Sequence, residues 1–248
     1  MKKLISLLFI ICFGLSLAAQ NNNNTSKYTY KWGVDAPIIG ITVGSGAAAF
    51  FMHRNKKVIT IDEINALSSS MVNKFDRSAI FNDSKGAKIS SDIFVYGASL
   101  APALMFIDKE VRKEWKHYLP MWAEVYGLTS GLTVLTKELV KRKRPYVYND
   151  KLSAESKIGK DATASFFSGH TSTTAASTFF MAKVFADLHP DSRFKPLMWT
   201  GAALIPAITG LCRYGAGKHF FTDILVGYAV GSAIGILVPQ LHKVKMKQ

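Results

Sequence analysis

Six apolar stretches separated by polar connectors limit what this chain can fold into. They run over 36–52, 93–107, 120–140, 168–188, 196–211 and 219–238. None alternates apolar and polar residues with the period of two that marks a half-buried strand, and no internal repeat is visible. Runs of this length and texture are helices. The expected fold is all-α, a bundle of about six helices in one domain, embedded in a membrane. Gly227, Gly231 and Gly235 recur at four-residue spacing in the last stretch. That spacing gives one helix face of small residues, suited to close contact with a neighbour.

The regions outside these helices divide the chain. Residues 1–19 read as a signal peptide: Lys2 and Lys3, an apolar run from Leu4 to Leu17, then small residues at Ala18 and Ala19. Residues 20–35 are expected to be a flexible N-terminus, 36–242 a helical domain and 243–248 a basic tail. The stretch 36–52 covers only about 25 Å at ~1.5 Å per residue, short of a ~30 Å hydrocarbon layer. It is therefore expected not to span. Thr60-Ile61-Asp62-Glu63 predicts a capping box and a short helix. With Cys12 in the leader, a mature chain keeps only Cys212, which leaves no internal disulfide and no cysteine-based zinc site. The net charge is +14, which calls for an anionic partner: nucleic acid, an acidic membrane face or a phosphorylated substrate.

Three polar clusters interrupt the apolar helices. Lys137 and Arg144-Pro145 lie at and beyond the end of the third helix, where a basic helix end also suits the dipole. Ser168-Gly169-His170 opens the fourth helix, where free backbone N–H groups form an anion site and Ser168 is also a plain N-cap. Arg213, His219 and Asp223 form the third cluster. With a helix starting near His219, the histidine and Asp223 would share one face, a turn apart. A carboxylate beside an imidazole fixes its tautomer, and such a histidine attacks or accepts a proton. Alone, this stretch reads equally well as a helix start with an incidental polar cluster. Together the three clusters form a set that could bind a phosphate, attack it and protonate its leaving group. The other histidines, His53, His117, His189 and His242, fall at helix ends or in connectors and read as surface residues.

The order Lys137-x6-Arg144-Pro145, Ser168-Gly169-His170, Arg213-x5-His219-x3-Asp223 resembles the three-part signature of the type 2 phosphatidic acid phosphatase superfamily. That superfamily also includes bacterial nonspecific acid phosphatases and vanadium haloperoxidases. Phe167 stands where the family often has proline, and Cys212 where it usually has serine or threonine. The resemblance implies a helical bundle of the acid phosphatase/vanadium haloperoxidase type and a metal-independent hydrolase without a cofactor. It further implies that Lys137, Arg144, Arg213, Ser168 and Gly169 hold the phosphate and that His219 attacks phosphorus. Asp223 would orient His219, and His170 would protonate the leaving oxygen. Fixed cations would do the work that a metal does elsewhere.

The expected partners are a phosphorylated lipid and the membrane, not nucleic acid; the oligomeric state cannot be read. With 36–52 outside the membrane, five spans put the site on the periplasmic face of a bacterial inner membrane. The basic segment 109–116 and the tail then lie in the cytosol, as the positive-inside rule prefers. The alternatives are a soluble periplasmic nonspecific acid phosphatase and a non-enzymatic basic membrane protein. The second leaves His219–Asp223 and Ser168-Gly169-His170 unexplained.

Overall fold

A computed structural model describes residues 26–244. The leader 1–19 and most of the basic tail lie outside the described residues. Eight α-helices are present among them: α1 (Trp32–Arg54), α2 (Ile61–Asn65), α3 (Lys85–Leu104), α4 (Lys109–Lys113), α5 (Trp115–Val140), α6 (Gly169–Leu188), α7 (Lys195–Gly215) and α8 (Phe221–His242). No named strand occurs among the described residues, and the fold is all-α as the pattern required. The short helix α2 carries the expected capping box: Glu63 N–H donates to Thr60 Oγ1, and Thr60 N–H to Glu63 Oε2.

The six long helices alternate in direction. At one end, His53 near the close of α1 meets Glu138 near the close of α5, at 2.8 Å. Asp92 on α3 meets His170 at the start of α6. At the other end, the Tyr118 hydroxyl of α5 donates to the Pro102 carbonyl of α3. There too the Tyr28 hydroxyl reaches Asp187 on α6. The main apolar core lies toward this second end, with Tyr118, Met121, Val125, Phe180, Val184 and Val238 packed together. Edge-on contact between Phe106 and Tyr118, at 5.2 Å and 88°, closes it.

The glycine face of α8 lies on α6. A Cβ at Gly231 would sit 2.1 Å from the Ser172 carbonyl oxygen, and one at Gly235 2.5 Å from that of Ala176. Backbones this close fix the height of α8 against α6, and so the height of both polar helix starts.

Two expectations are corrected here. The first helix is Trp32–Arg54, with 23 residues, or about 35 Å at ~1.5 Å per residue. Residues 32–35 and 53–54 extend the stretch 36–52, and Asp35 turns inward to a partner on α8 instead of stopping the helix. α1 is thus one of three helices long and apolar enough to cross a membrane, with Lys85–Ile107 and Phe221–His242. The premise for five spans fails. Residues 28–35 also belong to the packed unit, not to a flexible N-terminus. Tyr28 is buried and bridges to Lys243, and Glu114 holds Ser26 and Lys27.

Candidate active site

The site forms at the end of the bundle where α5 and α7 finish and α6 and α8 begin. α7 ends in a tight turn. Lys218 N–H donates to the Arg213 carbonyl at 3.1 Å, and Gly217 N–H to that of Tyr214 at 2.9 Å, the Schellman pattern. Gly217 has φ +63, and a Cβ there would lie 2.0 Å from the Asn82 carbonyl oxygen, so only glycine fits. The turn leaves Arg213 on the last turn of α7 and sends His219 inward. α8 begins at Phe221, two residues after His219, because Asp223 Oδ2 accepts the Phe220 N–H at 2.9 Å and caps the helix there. His219 and Asp223 therefore meet across a helix start instead of along a helix face.

Ser168 caps α6, its Oγ accepting from Thr171 N–H and contacting Thr171 Oγ1 at 2.9 Å. Its own N–H donates to the Asp223 carbonyl at 3.0 Å, which locks the starts of α6 and α8 together. The buried Ser168 side chain is thus engaged in the cap, and the first-turn amides of Gly169 and His170 are what the turn presents. A Cβ at Gly169 would stand 3.4 Å from Lys137 Nζ, so the last turn of α5 lies against this helix start.

Arg144 is buried and well held. Its Nε donates to the Asp161 carbonyl at 3.0 Å, Nη2 to Asp161 Oδ1 at 2.8 Å and Nη1 to the Lys218 carbonyl at 3.1 Å. Arg213 is buried too; its Nη1 reaches Ser91 Oγ at 3.3 Å, and its Nε has no partner. Lys137 Nζ makes no hydrogen bond among the described residues, so the cations keep donors free for a ligand.

His219 sits among them with 1% of its surface exposed. Nε2 lies 3.5 Å from Arg144 Nη1, while Nδ1 faces Asp223 Oδ2 at 3.6 Å and has no hydrogen bond. Burial, and then the charges of Arg144, Lys137 and Arg213, hold its pKa well below the usual histidine value. That direction favours the neutral imidazole. Asp223 is itself fixed: Ser165 Oγ donates to Oδ2 at 2.5 Å, and Arg142 Nη1 to Oδ1 at 2.5 Å.

All eight residues singled out from the sequence therefore gather at this end of the bundle. Several others escaped notice. Arg142 bridges Asp223 and the buried Asp76, and Asp76 also accepts from Thr222 Oγ1 at 2.7 Å. Asp92 Oδ1 lies 2.8 Å from His170 Nε2, and Asp161 braces Arg144. Arg142 was legible only as part of a basic run, and Asp76 stands in a connector without a motif. One further expectation is corrected: His242 is buried, not on the surface, because the last turn of α8 directs it at carboxylates on α1 and α5.

One end of this helical bundle thus collects two histidines, two arginines and a lysine from two helix starts, two helix ends and a connector. The chain belongs to the PAP2 superfamily, whose pattern matches residues 121–247. It is 28% identical over 160 residues to phosphatidylglycerophosphatase B of Bacillus subtilis (strain 168), covering 61% of this chain and 72% of that protein. It is 25% identical over 158 residues to phospholipid phosphatase 1 of Rattus norvegicus, 58% of this chain and only 49% of the rat protein. A crystal structure of a transmembrane PAP2-type phosphatidylglycerolphosphate phosphatase from Bacillus subtilis aligns over the full length of both chains, with 21% identity and a TM-score of 0.46.

Proposed function

We propose that the chain is a phosphatase that hydrolyses a phosphate ester or diphosphate of a membrane lipid through a phosphohistidine on His219. The observation that carries this reading is a buried imidazole, held toward its neutral form and ringed by Lys137, Arg144 and Arg213. Those cations and the Gly169 amide bind the phosphoryl oxygens and neutralise charge as it builds. His219 Nε2 attacks phosphorus while Nδ1 keeps its proton and turns it toward the Asp223 carboxylate. The 3.6 Å gap to Asp223 closes to a hydrogen bond as the imidazolium forms. His170, held through Nε2 by Asp92, takes up a proton when the negative phosphate binds beside it and, as the imidazolium, donates its Nδ1 proton to the departing lipid oxygen. It then takes one from the water that hydrolyses the phosphohistidine, releasing inorganic phosphate and restoring His219. Fixed cations neutralise the phosphate in every step, so the proposed reaction needs no metal or cofactor.

A lipid is favoured over a soluble ester by the surroundings. A cleft of about 240 Å³ runs from His170 between α3 and α5, lined by Val95, Tyr96, Ser99, Tyr126 and Val134. The outer face of α3 is apolar and exposed, with Ile93, Tyr96, Leu100 and Leu104 at helical spacing. The test is phosphate release from phosphatidic acid, phosphatidylglycerophosphate, undecaprenyl diphosphate and a soluble aryl phosphate, by the parent and by His219→Ala. The parent is expected to prefer the lipids and to yield an acid-labile phosphohistidine. Full activity in His219→Ala, or a preference for the soluble ester, sinks the reading.

We place the protein in a bacterial inner membrane with the site facing the periplasm. The end opposite His219 carries Lys109, Arg112, Lys113, Lys116 and Lys243, and positive charge is retained in the cytosol. With α1 crossing, this reading keeps Ser26 on the cytosolic side and therefore requires that residues 1–19 do not act as the exporting leader expected from the sequence. In a chain lacking Cys12 and Cys212, a cysteine replacing exposed Lys57 should react with impermeant maleimide in intact cells, and one replacing Lys116 should not. The reverse pattern inverts the topology.

A further inference from the structure

At the far end of the bundle, side chains from three helices converge. Asp35 stands in the first turn of α1, Glu124 on α5, and His242 is the last residue of α8. One donor atom from each lies within 4.8 Å of the others. His242 Nε2 is 2.9 Å from Asp35 Oδ1 and 3.5 Å from Glu124 Oε2. The side chains of His242 and Glu124 are 2% and 10% exposed.

Two details say what belongs between them. His242 Nδ1 lies 2.8 Å from the Val238 carbonyl oxygen, which only accepts, so Nδ1 carries a proton. In the neutral ring, Nε2 then aims a lone pair at two carboxylates. The second detail is that Glu124 Oε2 is buried with no hydrogen-bond donor. The contact of Nε2 with Asp35 alone leaves Glu124 Oε2, 3.5 Å from the ring nitrogen, buried without a partner. A divalent cation takes the lone pair, engages both carboxylates and brings the cluster to neutrality.

The donor set narrows the ion. One imidazole and two carboxylates suit zinc. Tetrahedral zinc with bonds of ~2.0–2.1 Å holds its donors about 3.3 Å apart, between the 2.9 and 3.5 Å found here. The Nδ1–H bond to a backbone carbonyl is the backing that metal-bound histidines have. The geometry points to a zinc site formed by Asp35, Glu124 and His242 that ties α1, α5 and α8 together at the end opposite His219.

The test uses the full chain, purified in detergent without a polyhistidine tag, stripped with chelator and titrated with zinc sulfate. Metal content after desalting and thermal unfolding are read. One zinc per chain and a Tm raised by several degrees are expected. Glu124→Gln, which keeps the volume, should bind at least tenfold more weakly and lose the Tm shift; Asp35→Asn serves if that variant does not fold. His219→Ala should retain its zinc, separating this site from the phosphate site. The proposal is overturned if the parent takes up no zinc above the blank, if both carboxamide variants bind as tightly as the parent, or if His219→Ala loses the metal.

Discussion

α8 is bracketed by two buried histidines, and their surroundings are opposite in sign. His219 stands just ahead of its first turn, His242 at its last residue. His219 faces Lys137, Arg144 and Arg213, and its Nδ1 has no hydrogen bond. His242 faces Asp35 and Glu124, and both its nitrogens have partners within 2.9 Å. The contrast teaches that an imidazole takes its role from the charges around it. A ring of cations lowers the pKa of the buried His219 and favours its neutral form, as the proposed attack on phosphorus requires. A pair of carboxylates makes His242 one of three donors around a cation-binding space. Each end also has a carboxylate near its histidine, so counting His–Asp pairs does not distinguish them.

The largest expected effect comes from breaking the cation-ringed end. His219→Ala removes the attacking nitrogen and should lower phosphate release by ~10⁴–10⁶-fold. Asp223→Asn is the finer test. Its two oxygens accept from Ser165, the Phe220 N–H and Arg142, so an amide must set an NH₂ group against a donor. It also removes the carboxylate toward which His219 turns its Nδ1 proton. A fall of roughly 10³–10⁴-fold is expected in kcat, the size seen when the carboxylate behind a catalytic histidine becomes an amide. Substrate affinity should change far less. A loss confined to KM would make Asp223 a mere helix cap.

The sequence exposed this end of the molecule better than the other, for a physical reason. The eight candidate residues lie near helix starts and ends, where Ser168-Gly169 and Arg144-Pro145 leave local marks of caps and turns. Periodicity likewise marked the small-residue face of α8. Long-range pairing leaves no such mark. Asp76 is joined to Thr222 and Arg142, and His242 to Asp35, over 146, 66 and 207 positions of chain. The length of α1 was misjudged for a related cause. Within the bundle Asp35 has a histidine to face, and the helix runs through it.

The smallest effect is a displacement of the pH profile, and it tests the sign of the field directly. A histidine with a depressed pKa stays neutral to lower pH and loses its lone pair only as pH falls through that depressed value. In the free enzyme the acid limb of kcat/KM should therefore lie below the ordinary histidine value of about 6.5. Each cation that faces His219 contributes to the depression: Arg144, Lys137 and Arg213, in that order after burial itself. Lys137→Met removes one positive charge while keeping an unbranched chain of similar reach. Besides lowering the rate, it should move the acid limb upward, toward 6.5. A limb already at 6.5 in the parent, or one that moves down on loss of Lys137, would mean that the cations do not set the protonation of His219. The contrast between the two ends of α8 would then rest on geometry alone.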